Sequence, residues 1–424
     1  MEIPIFHETD EAMSLNRTLA YRDVMSGKRV ALIHYWYVRR RGGERVLDVL
    51  AEMYPHSDIF TLFGDKSVML PATGAHKITT SFLQKIPGAK RHYRSMMALY
   101  PLALEQFDLR DYDVVISHEA GMAKGVLTRA KTFHLNYCHS PMRYVWEMYQ
   151  EYKSKAPLGA FGRAIYALSA NYVRQMDYLA ATRVTNFVAS SRNSELRIRS
   201  VYGRSADVVY PPVDLSGLDS ERQREDFYLV VSPMVAYKRV DLAIEACNLL
   251  RRRLVVIGEG QEAGRLRKMA GSTIQFLGNV PDDVVRDHYS RCRAFLFPGE
   301  EDIGLTPIEA QGSGAPVIAY GAGGALETVR GIFPGDFIDR DSTGIFFSTQ
   351  TPDCLAEAIQ YFETHDGRFS AQRIASHAAR FDVEHFKAEM TTIVERRFEE
   401  FNLQIGGNRP QVNNAYSSQV HGES

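Results

Sequence analysis

Short apolar runs, each closed by turn residues and most followed by a helix-period stretch, recur along the chain. A chain patterned in this way folds into parallel α/β sheets. In the first half the runs are Val30–His34, Ile59–Leu62, Asp113–Ser117, Thr132–Tyr137, Asn186–Ser190 and Val208–Tyr210. Such continuous hydrophobic strands are buried on both faces and need helices above and below them. The second half repeats the alternation at Phe227–Ser232, Leu254–Ile257, Ile274–Leu277, Ala294–Phe297, Val317–Ala319 and Gly344–Phe347. Helical stretches there cover Arg239–Arg251, Asp283–Arg291, Thr306–Ser313 and Asp353–Glu363.

A length of 424 residues exceeds one ordinary domain and suits two of roughly 150–200 residues. Pro211-Pro212 forces extended backbone, and the charged segment Ser216–Asp226 that follows holds almost nothing apolar. The expected division is therefore 1–215, 216–381, a final helix over 382–402, and a polar tail over 403–424 that cannot build a core. Residues 1–27 are expected to form a helix or arm on the first domain.

The net charge of −1 hides an asymmetry of +7 over residues 1–215 and −8 over the rest. A basic first half fits an anionic acceptor, an anionic membrane surface, or no function at all. The cysteines Cys138, Cys247, Cys292 and Cys354 match no zinc spacing and are expected to be reduced packing residues. The opening MEIPIFHETDEAMS lacks the pattern of a secretory leader, and no apolar run is long enough to span a bilayer. The expected location is cytoplasmic, including the inner face of the plasma membrane.

The segment richest in chemistry is Gly299-Glu300-Glu301-Asp302-Ile303-Gly304-Leu305-Thr306-Pro307-Ile308-Glu309. A buried strand ends there and a helix starts. Pro307 is tolerated in the first helical turn, where N–H groups lack partners. Those N–H groups and the positive helix end suit a diphosphate. Glu301 and Glu309 bracket the turn and can accept hydrogen bonds from sugar hydroxyls, although a solvated acidic turn has the same composition. Lys238 and Arg239, between a strand and a helix, supply cations for phosphate oxygens. A fixed cation stabilises the charge that grows on a leaving diphosphate.

The run from Glu301 to Glu309 resembles the E-x7-E motif of retaining glycosyltransferases of family 4, with the GT-B fold, and FPGEEDIGLTPIEAQGSGAPVIAYGAGGALETV over 297–329 resembles their donor-binding core. The resemblance covers roughly residues 28–365. It implies two Rossmann-like, doubly wound domains facing across a cleft, with the last helix returning to the first domain. It implies that Glu301 binds the transferred sugar, that Glu309 binds the ribose, and that amides near Gly304, Leu305 and Thr306 hold the distal phosphate. By the same resemblance Gly258 lies at the nucleotide and the Val280 backbone reads the base. Gly43 belongs to a glycine-rich loop near the phosphates, and His139 touches the donor sugar. Arg41, Arg143 and Trp146 are acceptor-side candidates. The sequence departs from the family where Ser232-Pro233 replaces the usual Gly-Arg, which leaves Arg239 as the candidate second cation.

The expected activity is retaining hexosyl transfer, in which the leaving diphosphate takes the acceptor's proton, without cofactor or essential metal. The pairs Asp111/Asp113 and Asp339/Asp341 read D-x-D, a metal signature of a different glycosyltransferase fold, but neither follows that fold's strand pattern. HSPMRYVW and EEDIGLTPIEAQ look most like bacterial enzymes that use GDP-mannose in exopolysaccharide or O-antigen assembly. The expected partners are a nucleotide sugar and a glycan or polyprenyl-diphosphate-linked saccharide, with no nucleic acid. UDP-glucose as donor, an epimerase of related fold, and an inactive binding homologue stay open. Basic residues Lys85, Lys90, Arg91 and Arg94 alternate with Phe82, Tyr93, Met96, Met97 and Leu99, a pattern that suits either an anionic membrane surface or a helix packed in the cleft wall.

Overall fold

The computed structural model describes residues 27–39, 42–119, 121–155 and 159–407. Its first sheet comprises β1 (Val30–Tyr37), β2 (Asp58–Gly64), β3 (Ile78–Thr80), β4 (Val114–Glu119), β5 (Phe133–Cys138), β6 (Asn186–Ala189) and β7 (Ala206–Val208), in the order 3-2-1-4-5-6-7. The second comprises β8 (Tyr228–Val231), β9 (Leu254–Ile257), β10 (Ile274–Gly278), β11 (Ala294–Phe297), β12 (Val317–Tyr320), β13 (Gly331–Ile332) and β14 (Gly344–Phe347), in the order 10-9-8-11-12-14-13. All named pairings are parallel. In both sheets the strand order reverses beside the first strand, and in such sheets ligands bind at that switch point.

Alternation along each strand builds two core layers per sheet. Ala31, Ile33 and Tyr35 of β1 face one layer, and Val30 and Leu32 the other. Tyr228 and Val230 pack on one side of the second sheet, Leu229 on the other. The helices that frame the site are α1 (Gly42–Met53), α2 (Ala160–Arg183), α3 (Arg192–Tyr202), α4 (Val240–Leu250), α5 (Leu305–Gly312), α6 (Pro352–His365) and α7 (Val383–Gly407). Phe386, Met390, Val394 and Phe398 recur every fourth residue on α7 and join the core of the first sheet. The two connecting segments lie side by side, with the Val213 amide donating to the Phe381 carbonyl at 2.9 Å.

Several elements differ from expectation. Helix α7 runs to Gly407 rather than ending at 402, and residues 408–424 fall outside the described part, as do residues 1–26. The edge strand β7 covers Ala206–Val208 rather than the expected Val208–Tyr210. The long α2 lacks a legible apolar period: it buries only Ala170, Val173, Asp177, Ala180 and Ala181. In the basic segment, Phe82, Tyr93, Met96 and Met97 pack against the first core, while Leu99 faces outward.

Candidate functional site

Helix α5 starts where the sequence demands a special backbone. Gly304 has φ +74°, and a Cβ there would lie 2.7 Å from the Phe297 ring. Only glycine meets both constraints. Beside it, the turn Ala236–Lys238 leads into Arg239, which is left-handed at φ 51°, and then into α4. Gly299 lies so close to this turn that a Cβ would come within 2.9 Å of the Lys238 Cα. The two loops interlock, and the Lys238 ammonium meets the Glu301 carboxylate with both side chains mostly shielded. Gly258, at φ +131°, packs directly on the Ser232 carbonyl and brings the loop after β9 to the same place.

Across the cleft, α1 comes so close to α5 that a Cβ on Gly42 would lie 2.6 Å from Leu305 Cδ1. Arg45 of α1 donates to Glu309 at 2.7 Å, and Tyr289 donates to the same carboxylate at 2.9 Å. Glu327 accepts from the amides of Arg192 and Asn193 at the start of α3, at 2.8 and 2.9 Å. Asp302 pairs with Arg197 and lies 3.8 Å from Arg143.

A cavity of about 410 Å³ opens between the domains. Gly43, His139, Arg143 and Leu305 line it, joined by Tyr35, Trp36, Tyr144, Asp302 and Ile303. Lys238, Glu301, Thr306 and Glu309 do not line it; they sit around the α5 terminus and at the Arg45 contact. Arg239 takes a different direction from Lys238: its guanidinium bonds Asp241 at 3.3 Å and the Gln350 carbonyl at 3.5 Å. Val280 packs its side chain against the second core. Trp146 is not among the cavity's lining residues; its indole donates to the buried Asp177 at 2.9 Å. Arg41 lies outside the described residues. Asp113 accepts from the Arg29 amide at the opposite end of the first sheet, and Asp341 pairs with Arg373.

Three histidines form a line under the first-domain side of the cavity. The register places His34 opposite His118, and His118 opposite Tyr137, two residues before His139. His34 Nδ1 lies 3.2 Å from His118 Nδ1, and His118 Nε2 lies 2.8 Å from His139 Nε2. Burial holds His34 and His139 down to about 4 and His118 well below its ordinary value. All three are neutral at pH 7. Each imidazole binds its proton more readily in the unfolded chain, so stability contributed by the neutral forms is full above about 6.5 and is lost as pH falls towards 4. Sequence reasoning found His139 alone, because His34 and His118 read as strand residues until the register joins them. It also missed Trp36 and Tyr35, although HYWY at the end of a strand is an unusual density of aromatic rings.

Residues 219–380 match the family described as Glycosyl transferases group 1. That match lies within the second domain. The described residues have the GT-B fold: sucrose-phosphate synthase from Thermosynechococcus elongatus superposes with a TM-score of 0.63 at 16% identity, covering 88% of this chain and 100% of that one. Anabaena Alr3699/HepE in complex with UDP superposes at 0.62 and 14%, covering 87% and 100%. In sequence, a GDP-mannose-dependent alpha-(1-6)-phosphatidylinositol monomannoside mannosyltransferase of Mycobacterium tuberculosis is 28% identical over 213 residues, 42% of this chain and 52% of that protein. The match thus spans about half the length of that relative. The human alpha-1,3/1,6-mannosyltransferase ALG2 is 23% identical over 303 residues, 63% of this chain and 67% of that protein. The Lys238–Glu301 pair joins the loops that follow β8 and β11, neighbours at the switch point of the second sheet, and the second of these loops leads into α5.

Proposed function

We propose that this chain is a glycosyltransferase that moves a hexosyl group, mannosyl from GDP-mannose, onto a glycan or polyprenyl-diphosphate-linked saccharide with retention of anomeric configuration. The observation that carries this is the Lys238 ammonium fixed beside the amide-rich start of α5, with Glu301 within reach of both. A diphosphate placed there meets a point charge and free N–H groups, which strengthen their hold as the sugar–phosphate bond breaks. The leaving phosphate then takes the proton of the attacking hydroxyl. No step in this scheme requires a metal. Mannose is favoured by the mannosyltransferases among the relatives. UDP-glucose is the second choice, because HepE is known with that ligand.

The test is a screen of nucleotide sugars, with and without membrane lipid extract, read as nucleotide release. Release that depends on acceptor and is confined to GDP-mannose fits the proposal. Release without acceptor, together with an altered donor sugar, points to an epimerase, and tight binding without release points to an inactive homologue.

Arg45 occupies the carboxylate assigned to the ribose. Arg45→Ala therefore frees Glu309 and is expected to lower the Kd for a nucleoside diphosphate about 3- to 10-fold by calorimetry, a gain of roughly one hydrogen bond's net value. Weaker binding would count against Glu309 as the ribose contact.

The acceptor is proposed to arrive at an anionic membrane surface. Helix α2 supports this: Phe161 (79% exposed), Ile165, Leu168 (74% exposed) and Tyr172 form one outward row. The only carboxylate of this helix, Asp177, is buried, and Arg163 and Arg183 are exposed. On its inner side, Tyr166 of α2 donates to the Tyr144 carbonyl at 2.8 Å, so the row lies one helix behind the cavity wall. Phe161→Asp with Leu168→Asp is expected to cut co-sedimentation with phosphatidylglycerol-containing vesicles roughly 10-fold or more. Unchanged sedimentation would remove the membrane from the proposal.

A further inference from the structure

The line of histidines has a direction, and a backbone carbonyl sets it. His34 Nδ1 lies 3.2 Å from His118 Nδ1 and 3.3 Å from the His118 carbonyl oxygen. A carbonyl can only accept, so His34 carries its proton on Nδ1 and shares it between these two acceptors. The other nitrogen, His34 Nε2, is buried and has no hydrogen-bond partner. With the proton on Nδ1 this nitrogen is a bare lone pair, whereas the opposite tautomer would bury an N–H with nothing to receive it.

The consequence passes along the chain. His118 Nδ1 accepts, so the single proton of a neutral His118 sits on Nε2. That N–H points at His139 Nε2, 2.8 Å away. His139 Nε2 must then accept, which leaves the proton of His139 on Nδ1. Among the described residues His139 Nδ1 has no protein partner, and His139 lines the cavity. His34 also borders the cavity, but it and His118 are only 4% and 0% exposed, whereas His139 is partly buried and is the member of the line most open to a ligand.

We propose that His34 and His118 are positioning residues that fix His139 as the Nδ1–H tautomer, so that it acts as a neutral hydrogen-bond donor to an oxygen of the bound sugar or its phosphate. Free neutral imidazole prefers its proton on the nitrogen remote from the backbone, so the protein selects the minor form. A donor that stays neutral serves an oxygen that gains negative charge during bond breaking without burying a second cation beside Lys238. The functional part of this assignment rests on the sugar-transfer reading; the tautomer itself does not.

The experiment uses the full chain with 15N-labelled histidine and long-range proton–nitrogen NMR, with His139→Asn identifying the His139 signals. At pH 7 His139 is expected to show one neutral form protonated at Nδ1. In His118→Phe the His139 proton is expected to move to Nε2 or to exchange between the two nitrogens. His118→Gln keeps an accepting oxygen and a donating N–H and is expected to hold the wild-type tautomer. In parallel, His118→Phe is expected to lower kcat at least 10-fold with the donor KM within 2-fold, and His118→Gln to recover most of that loss. A wild-type His139 that is charged or protonated at Nε2 overturns the tautomer assignment, whatever the activity. A correct tautomer with unchanged kcat in His118→Phe overturns the positioning role. If wild-type protein consumes no nucleotide sugar, the transfer reading fails while the NMR result still decides the tautomer.

Discussion

Lys238→Met is expected to lower kcat by about 100- to 1000-fold, the usual cost of removing one group that stabilises developing charge. The side chain keeps most of its length and its apolar stem but loses the ammonium. Lys238 sits on a short turn packed closely against Gly299, which holds its backbone in place. Arg239, the nearest cation in sequence, is held by Asp241 and the Gln350 carbonyl. The variant leaves Glu301 without its partner at a site that is partly open, so the chain should stay folded by circular dichroism. A substrate contact that served ground-state binding alone would raise KM and spare kcat. Full turnover in this variant would remove Lys238 from the site.

The largest effect on stability is expected away from the cleft, at Asp177. This carboxylate is fully buried and takes the ammonium of Lys124, the indole N–H of Trp146 and the hydroxyl of Tyr202, the last at 2.7 Å. Lys124 is itself 2% exposed. Asp177→Leu strands a buried cation and is expected to cost about 3–5 kcal/mol. Replacing the pair together, with Lys124→Met added, should recover part of that loss, because the lone ammonium is then gone. Both tryptophans, Trp36 and Trp146, lie in the first domain, so urea unfolding followed by tryptophan fluorescence reads this domain alone. A loss below about 1 kcal/mol would mean that Lys124 finds water or sheds its proton.

Much of the second domain was legible because its strands are short, fully buried and separated by glycine-rich turns, so burial and period agree. Leu254–Ile257, Ala294–Phe297 and Gly344–Phe347 match the structure residue for residue. The first domain was harder. Helix α2 presents Phe161, Ile165 and Leu168 to the outside and alanines to the inside, which inverts the pattern that identifies a helix from its apolar face. Strands of two or three residues, such as β13 and β3, carry too little pattern to be seen. At the site, local motifs gave Lys238, Glu301 and Gly304, whose neighbours are close in sequence or fixed by a turn. Arg45, Asp302, Tyr289 and the two inner histidines owe their places to pairings across 20 to 264 residues, which no spacing within a motif encodes. Trp146 sits in a turn eight residues beyond the end of β5, and its bond to Asp177, 31 residues away, is not encoded in the local motif either.

The measurement closest to the central claim is a crystal structure of the chain soaked with GDP or GDP-mannose. The distal phosphate should lie within roughly 3 Å of Lys238 Nζ and of the Leu305 and Thr306 amides, with Glu301 released from Lys238 towards the sugar. Phosphates bound elsewhere, with the Lys238–Glu301 pair intact, would contradict it.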